Sequence, residues 1–305
     1  MNSSYNYLFG PVPSRRLGRS LGIDVTPFKT CSFDCVFCQC GCTTRLCIDR
    51  AEFMPLEDIC GELERWLRDD GAADCITFAG SGEPTLYSRL GELIQWIKQH
   101  TTIPVIILSN GTLLNRPDVR RDVKLADRVK ISLSAWDDVS YQQINRPANG
   151  LTFEQLLEGE QAFREEFRGE LWVEVFLMEG LNSEPEQVKK IAAAVSRLRP
   201  DKVHLNTAVR PPAEATVRPV TQEKLASFCD LFVPRAEIIA SFTASSGMVA
   251  ELSLEKVIEL LRRHPATAAQ LAASFGVEID RITPLLTDSR LHCELRGEEL
   301  YYKCF

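Results

Sequence analysis

From about residue 21 to 207, short β-branched runs alternate with longer stretches whose apolar positions recur every three or four residues. The runs at 21–25, 75–79, 105–109, 129–134, 171–177 and 203–206 are apolar along most of their length, as strands buried on both faces are. The stretches at 56–68, 90–99, 153–167 and 186–198 carry the helical period. Strand–helix alternation at this spacing predicts right-handed βαβ units and a parallel sheet. About six such units suit a partial (β/α) barrel better than a closed eight-fold one.

Residues 208–220 are proline-rich and read as an extended loop, followed by a helix over 221–232 that completes the barrel. A small-residue stretch at 244–248 reads as a linker. Helices are then expected at 254–263, 266–275 and 277–289, and short strands at 291–295 and 299–303, joined at 296–298. Three helices and a hairpin give the order of a winged helix. Pro284 should interrupt or shorten the third helix, because an interior proline removes a hydrogen bond and clashes with the preceding turn. Leu254, Val257, Ile258, Leu261, Leu271, Phe275, Ile282 and Leu285 supply a small core for this unit. The expected organisation is therefore an α/β domain over 1–243 and a winged-helix-like domain over 250–305.

Composition narrows the partners. The net charge of −7 lacks the field that draws in nucleic acid, although Arg15, Arg16 and Arg19 could form a local basic patch. No apolar run approaches a bilayer span, and the N-terminus lacks a signal pattern, so no membrane partner is expected. Eleven cysteines in a chain of 305 residues fit a reducing cytoplasm with metal-cluster chemistry better than a disulfide framework. The C-terminal region carries nine acidic residues from Glu251 onward against seven Lys and Arg, and its third helix opens with Glu278 and Asp280. Acid at that position meets phosphates with the wrong sign, so protein or peptide docking, or packing on the barrel, fits better than DNA reading.

The chemistry concentrates in Cys31-Ser32-Phe33-Asp34-Cys35-Val36-Phe37-Cys38, within a loop spanning 27–48. Three thiolates on one short loop can hold three corners of a four-iron cluster and leave one iron open to a ligand. A zinc knuckle is the rival reading, but structural zinc wants four ligands, usually as two pairs, and only Cys35 and Cys38 make such a pair. Cys40, Cys42 and Cys47 invite an auxiliary cluster, yet their spacing is tight, and free thiols are the plainer reading. Cys60, Cys75, Cys229, Cys293 and Cys304, Met178 and the four tryptophans read as packing residues.

This spacing, with an aromatic before the third cysteine, resembles the radical S-adenosylmethionine (SAM) superfamily. Thr77-Phe78-Ala79-Gly80-Ser81-Gly82-Glu83-Pro84-Thr85-Leu86 resembles the superfamily's glycine-glutamate-proline strand end, with Ser81 interrupting the glycines. Ile107-Leu108-Ser109-Asn110-Gly111-Thr112 is similar to its "T-N-G-T" strand end. The segment from Pro13 to Asp24 looks most like the branch grouped with tRNA wyosine synthases. The resemblance covers roughly residues 10 to 235. It implies a partial barrel, a 4Fe-4S cluster on Cys31, Cys35 and Cys38, and reductive cleavage of SAM to a 5′-deoxyadenosyl radical. It places Gly80, Ser81, Gly82 and Glu83 at the methionyl amine, Phe37 against the adenine (or as a loop anchor), and Asn110, Ser132 and Ser134 towards ribose and carboxylate. Residues 174–179 occupy the place of an adenine-binding segment but match it poorly. An electron donor such as flavodoxin or ferredoxin is implied. Arg146 and Arg210, each before a proline, could hold a carboxylate or phosphate, or be solvated. Two other functions stay open: an iron–sulfur nucleic-acid-binding regulator and a tRNA-modifying enzyme.

Overall fold

A computed structural model describes residues 5–14, 17–69, 71–209, 211–240, 252–263, 265–296 and 299–304. Strands β1 (Leu8–Ser14) and β2 (Gly18–Ile23) pair antiparallel, and the two-residue strands β3 (Thr30–Cys31) and β4 (Arg45–Leu46) pair with each other at the cysteine loop. Strands β5 (Cys75–Phe78), β6 (Val105–Leu108), β7 (Arg128–Ser132), β8 (Glu170–Phe176), β9 (Lys202–Asn206) and β10 (Glu237–Ile238) follow. The main sheet runs β1-β2-β5-β6-β7-β8-β9-β10, parallel from β2 onward. Its end strands, β1 and β10, do not pair with each other among the described residues, so the sheet is open.

Helices α1 (Leu56–Asp69), α2 (Leu90–His100), α3 (Pro117–Val123), α4 (Asp138–Ile144), α5 (Phe153–Glu166), α6 (Pro185–Arg197) and α7 (Gln222–Phe228) lie between the strands. Capping boxes start α4 (Asp137 with Ser140) and α5 (Thr152 with Gln155), satisfying N–H groups that the first turn leaves free. One face of the sheet presents Val129, Ile131, Leu133, Val173, Val175, Val203 and Leu205 to a core shared with Ile94, Ile97, Leu156, Ile191 and Val195. Each such side chain contributes about 1.5–3 kcal/mol by leaving water. Alternation sends the neighbouring residues to the other face, which is polar on three adjacent strands. Ser132 stands opposite Glu174, and Glu174 opposite His204; the Lys130 ammonium lies 2.6 Å from the Glu174 carboxylate.

The C-terminal region follows the expected order with two changes. Helix α8 (Leu254–Arg263) is followed by a short strand, β11 (Ala266–Thr267), where helix was expected, and only then by α9 (Ala268–Phe275). The third helix, α10 (Ile279–Ile282), ends after four residues in a 3-10 turn, Thr283–Thr287, that holds Pro284. Strands β12 (Leu291–Arg296) and β13 (Glu299–Cys304) pair antiparallel, with β11 on the far side of β13. Val257, Ile258, Leu261, Leu271, Phe275, Ile282 and Leu286 form a core of their own. Both α8 and α9 pack on β1, and the Tyr301 hydroxyl reaches the Val209 carbonyl at 3.4 Å. The expected linker at 244–248 lies outside the described residues.

Candidate functional site

The cysteine loop is held from two sides at the C-terminal ends of the strands. On one side residues 32–36 run beside 144–148. The Asp34 N–H donates to the carbonyls of Asn145 and Arg146, both at 3.1 Å, and the Val36 N–H to Ile144 at 3.0 Å. The Ala148 N–H donates back to Ser32 at 2.9 Å. On the other side the Glu83 N–H donates to Thr30 at 3.1 Å and the Lys29 N–H to Ser81 at 2.9 Å. The loop after β5 and the cysteine loop thus share one backbone seam.

Each of the three sulfurs has its own nitrogen donor, and each donor comes from a different place. Cys31 Sγ accepts from the Phe33 N–H at 3.4 Å and from Asn110 Nδ2 at 3.5 Å. Cys35 Sγ accepts from Asn145 Nδ2 at 3.5 Å, and Cys38 Sγ from Lys29 Nζ at 3.1 Å. Burial, with the Glu83 charge next, pushes the Cys31 thiol up to about 12, and burial raises Cys35 well above the usual range. Cys38 is pulled down to about 5, chiefly because the Cys40 thiol donates to it and also because of Lys29.

Glu83 is 2 % exposed and joins β5 to β6. Its Oε1 accepts from the Thr85 N–H (3.0 Å), the Thr85 hydroxyl (2.6 Å) and the Ser109 hydroxyl (2.7 Å). Its Oε2 accepts from the Asn110 N–H at 2.7 Å. Burial raises the carboxyl's pKa, and these four donors pull against that rise. Ser81 donates through both its N–H and its hydroxyl to Asp24, just beyond β2, which shapes the loop where serine interrupts the glycines. Asn110 latches β6 to the cysteine loop: Nδ2 reaches Ser32 Oγ at 2.9 Å, and Oδ1 accepts from Thr112.

The radical SAM superfamily profile matches residues 25–192, which contain all three cysteines and both strand-end segments. This chain belongs to the radical SAM superfamily. Among its relatives, a UPF0026 protein of Methanocaldococcus jannaschii is 32% identical over 97% of this chain and 95% of that protein. A UPF0026 protein of Synechocystis is 41% identical over 69% of this chain and 78% of that protein. A protein named GTPase Obg, from Brachyspira hyodysenteriae, is 38% identical over 92% of this chain, which spans only 42% of that protein's length. Two solved structures share the fold: a radical SAM methyltransferase of Sphaerobacter thermophilus and SuiB of Streptococcus suis bound to SAM. The first has TM-score 0.53 and 18% identity over 74% of this chain and 67% of that one. The second has TM-score 0.54 and 14% identity over 72% and 50%.

Radical SAM proteins use a 4Fe-4S cluster and SAM. In this radical SAM protein the donor set fits such a cluster, since N–H groups aimed at thiolate sulfurs are how a protein orients and tunes cluster ligands. Among the described residues no three His, Cys, Asp or Glu side chains converge as a single metal ion requires. A four-iron cluster does not ask for that convergence, because each thiolate takes a different iron.

The remaining residues of the radical SAM protein divide. Ser132 lies at the end of β7 on the polar face. Ser134 is buried and its hydroxyl accepts from the Phe176 N–H at 2.9 Å, which binds it to the backbone of β8. Phe37 stacks on Phe176 with centroids 4.4 Å apart, so one ring face anchors the loop. Cys42 is exposed, Cys47 packs on the core and Cys40 faces the Gly80 carbonyl at 3.8 Å, three different surroundings. Cys293, expected to be a packing residue, is exposed on β12. Arg146 pairs with Glu214 at 2.6 Å; Arg15, Arg16 and Arg210 lie outside the described residues. Sequence reasoning missed Lys29, Asn145 and Asp24. Only Lys29 left a sequence signal, a cation two positions before the first cysteine.

Proposed function

We propose that the chain is a radical SAM enzyme whose cluster is held by Cys31, Cys35 and Cys38 and whose SAM lies over Gly80, Ser81, Gly82 and Glu83. The observation that carries this reading is the provision of a separate nitrogen donor for each of the three sulfurs, on a loop sewn to the strand ends. When bound, the cluster and SAM together supply one-electron cleavage of SAM to a 5′-deoxyadenosyl radical that abstracts hydrogen from substrate. The chain's own residues supply position and shielding. Glu83 keeps a lone pair of Oε2 for the methionyl ammonium, a charge-assisted bond in a buried setting. Asn110 fixes the cysteine loop against β6, and Phe37, braced by Phe176, presents its other ring face to the adenine. Ser132 and, through its remaining donor capacity, Ser134 serve the ribose and carboxylate side.

We assign residues 1–243 to a partial-barrel domain and 250–305 to a winged-helix-like domain that recruits a protein or peptide substrate. The helix–strand–helix–helix–hairpin order supports the second assignment. Glu278 and Asp280 at the start of α10 count against the alternative of an iron–sulfur regulator that reads DNA, and the acidic net charge counts against tRNA modification. We place the chain in the reducing cytoplasm, served by a flavodoxin or ferredoxin; no disulfide joins the cysteines among the described residues. No described helix is long and apolar enough to cross a membrane. The test is anaerobic incubation of the reconstituted protein with SAM and a strong reductant. Formation of 5′-deoxyadenosine that disappears in C35A supports the proposal; equal formation by both proteins contradicts it.

A further inference from the structure

Lys29 carries a charge into the interior and meets no carboxylate among the described residues. The residue is 3 % exposed, and its Nζ lies 3.1 Å from Cys38 Sγ. Among the described residues no carboxylate forms an ion pair with this ammonium, and the charges that act on it most strongly are those of Cys38, then Cys40 and Cys31. Burying an ammonium is costly unless an opposite charge is supplied, so the counter-charge here must come from sulfur. The backbone of Lys29 is itself held in place. Lys29 sits at φ 57°, its N–H is bound to Ser81, and its carbonyl accepts from the N–H groups of Thr44 and Arg45, both at 3.1 Å. It therefore stands where the two loops of the site and the arm after Cys38 are tied together.

Resting on the proposed cluster site, we infer that Lys29 is a positioning residue that sets the cluster's reduction potential through its fixed positive charge at Cys38. Reduction adds one electron, taken from a donor of the ferredoxin or flavodoxin class, to a cluster whose thiolates already carry negative charge. An ammonium hydrogen-bonded to one of those thiolates favours the more negative, reduced form and so raises the midpoint potential. Asn110 and Asn145 donate to the other two sulfurs without a net charge, so the cationic contribution falls on the Cys38 corner.

The test is a redox titration of the anaerobically reconstituted full chain without SAM, followed by electron paramagnetic resonance, with iron content measured on each sample. K29M should keep the wild-type iron content while its midpoint falls by at least a tenfold change in the reduction equilibrium, 59 mV for one electron. K29R, which keeps the charge, should stay closer to wild type than K29M. K29Q replaces K29M should the latter fail to load iron. An unchanged midpoint in an iron-replete neutral variant overturns the inference, as do equal shifts in K29R and K29M, which would assign the effect to shape. Weaker SAM binding with an unchanged midpoint also overturns it, giving Lys29 to SAM. Failure of the wild type to bind iron rejects the underlying cluster site and is read from a different measurement.

Discussion

A methyl group on Gly82 would stand 1.9 Å from the carbonyl oxygen of Thr30. No side chain separates the two loops at that point, and this contact brings Glu83 and Cys31 into one site. The obstacle is backbone and cannot rotate away. G82A should therefore lower stability by about 1–3 kcal/mol, the usual cost of overpacking, and reduce iron incorporation. Gly61 is the control: it lies within α1, where a methyl group would meet nothing within 4 Å, so G61A should raise stability by about 1 kcal/mol. Denaturant melts of both variants check this, and a neutral G82A would show that the seam yields.

Glu83 has two separable jobs. Three donors hold Oε1 and one holds Oε2, so an amide in its place must lose at least one acceptor interaction. E83Q should destabilise the chain without any ligand and also weaken SAM binding by about 1.5–3 kcal/mol, the range for hydrogen bonds to a charged group. Calorimetric titration with SAM separates the two effects. Lost stability with unchanged SAM affinity would make Glu83 a strut only.

Both carboxylate oxygens of Glu160 are buried with no hydrogen-bond partner, and burial alone raises its pKa well above the ordinary range. The folded state binds this proton more tightly than the unfolded one. Its contribution is thus fully present below the unfolded carboxyl value, about 4.3, and is lost as pH rises towards the folded value. E160Q removes the titration. Its melting temperature should gain on wild type between about pH 5 and about pH 8, and a pH-independent difference would contradict the assignment.

The C-terminal unit has its own core but covers β1. A chain ending at residue 240 should keep its iron and its SAM cleavage, while the uncovered strand increases binding of an apolar dye. Loss of iron on truncation would instead make the unit part of the site's support.

The parallel strands were legible because apolar runs such as 105–109 and 171–177 are the signature of burial on both faces. Strand β1 was not: Gly-Pro-Val-Pro-Ser has no strand pattern, and its prolines are tolerated because it is an edge strand whose pairing with β2 is irregular between Phe9 and Val12. Helices α3 and α4 are too short for a periodicity to emerge. Within the site, the cysteines and the glycine–glutamate segment were visible as local motifs. Asn110 was visible as well, but for the ribose and carboxylate side; its contact with Cys31, 79 positions away, and that of Asn145 with Cys35, 110 positions away, were not. Tertiary structure alone brings them together.

The proposed cluster on Cys31, Cys35 and Cys38 leaves one iron open for SAM to engage directly. Electron paramagnetic resonance of the anaerobically reconstituted, reduced protein with and without SAM tests it. About four irons per chain are expected, with a signal that changes on adding SAM, disappears in C31A, C35A and C38A, and survives in C60A. Stoichiometric zinc without iron, or an iron signal indifferent to SAM, would contradict the account.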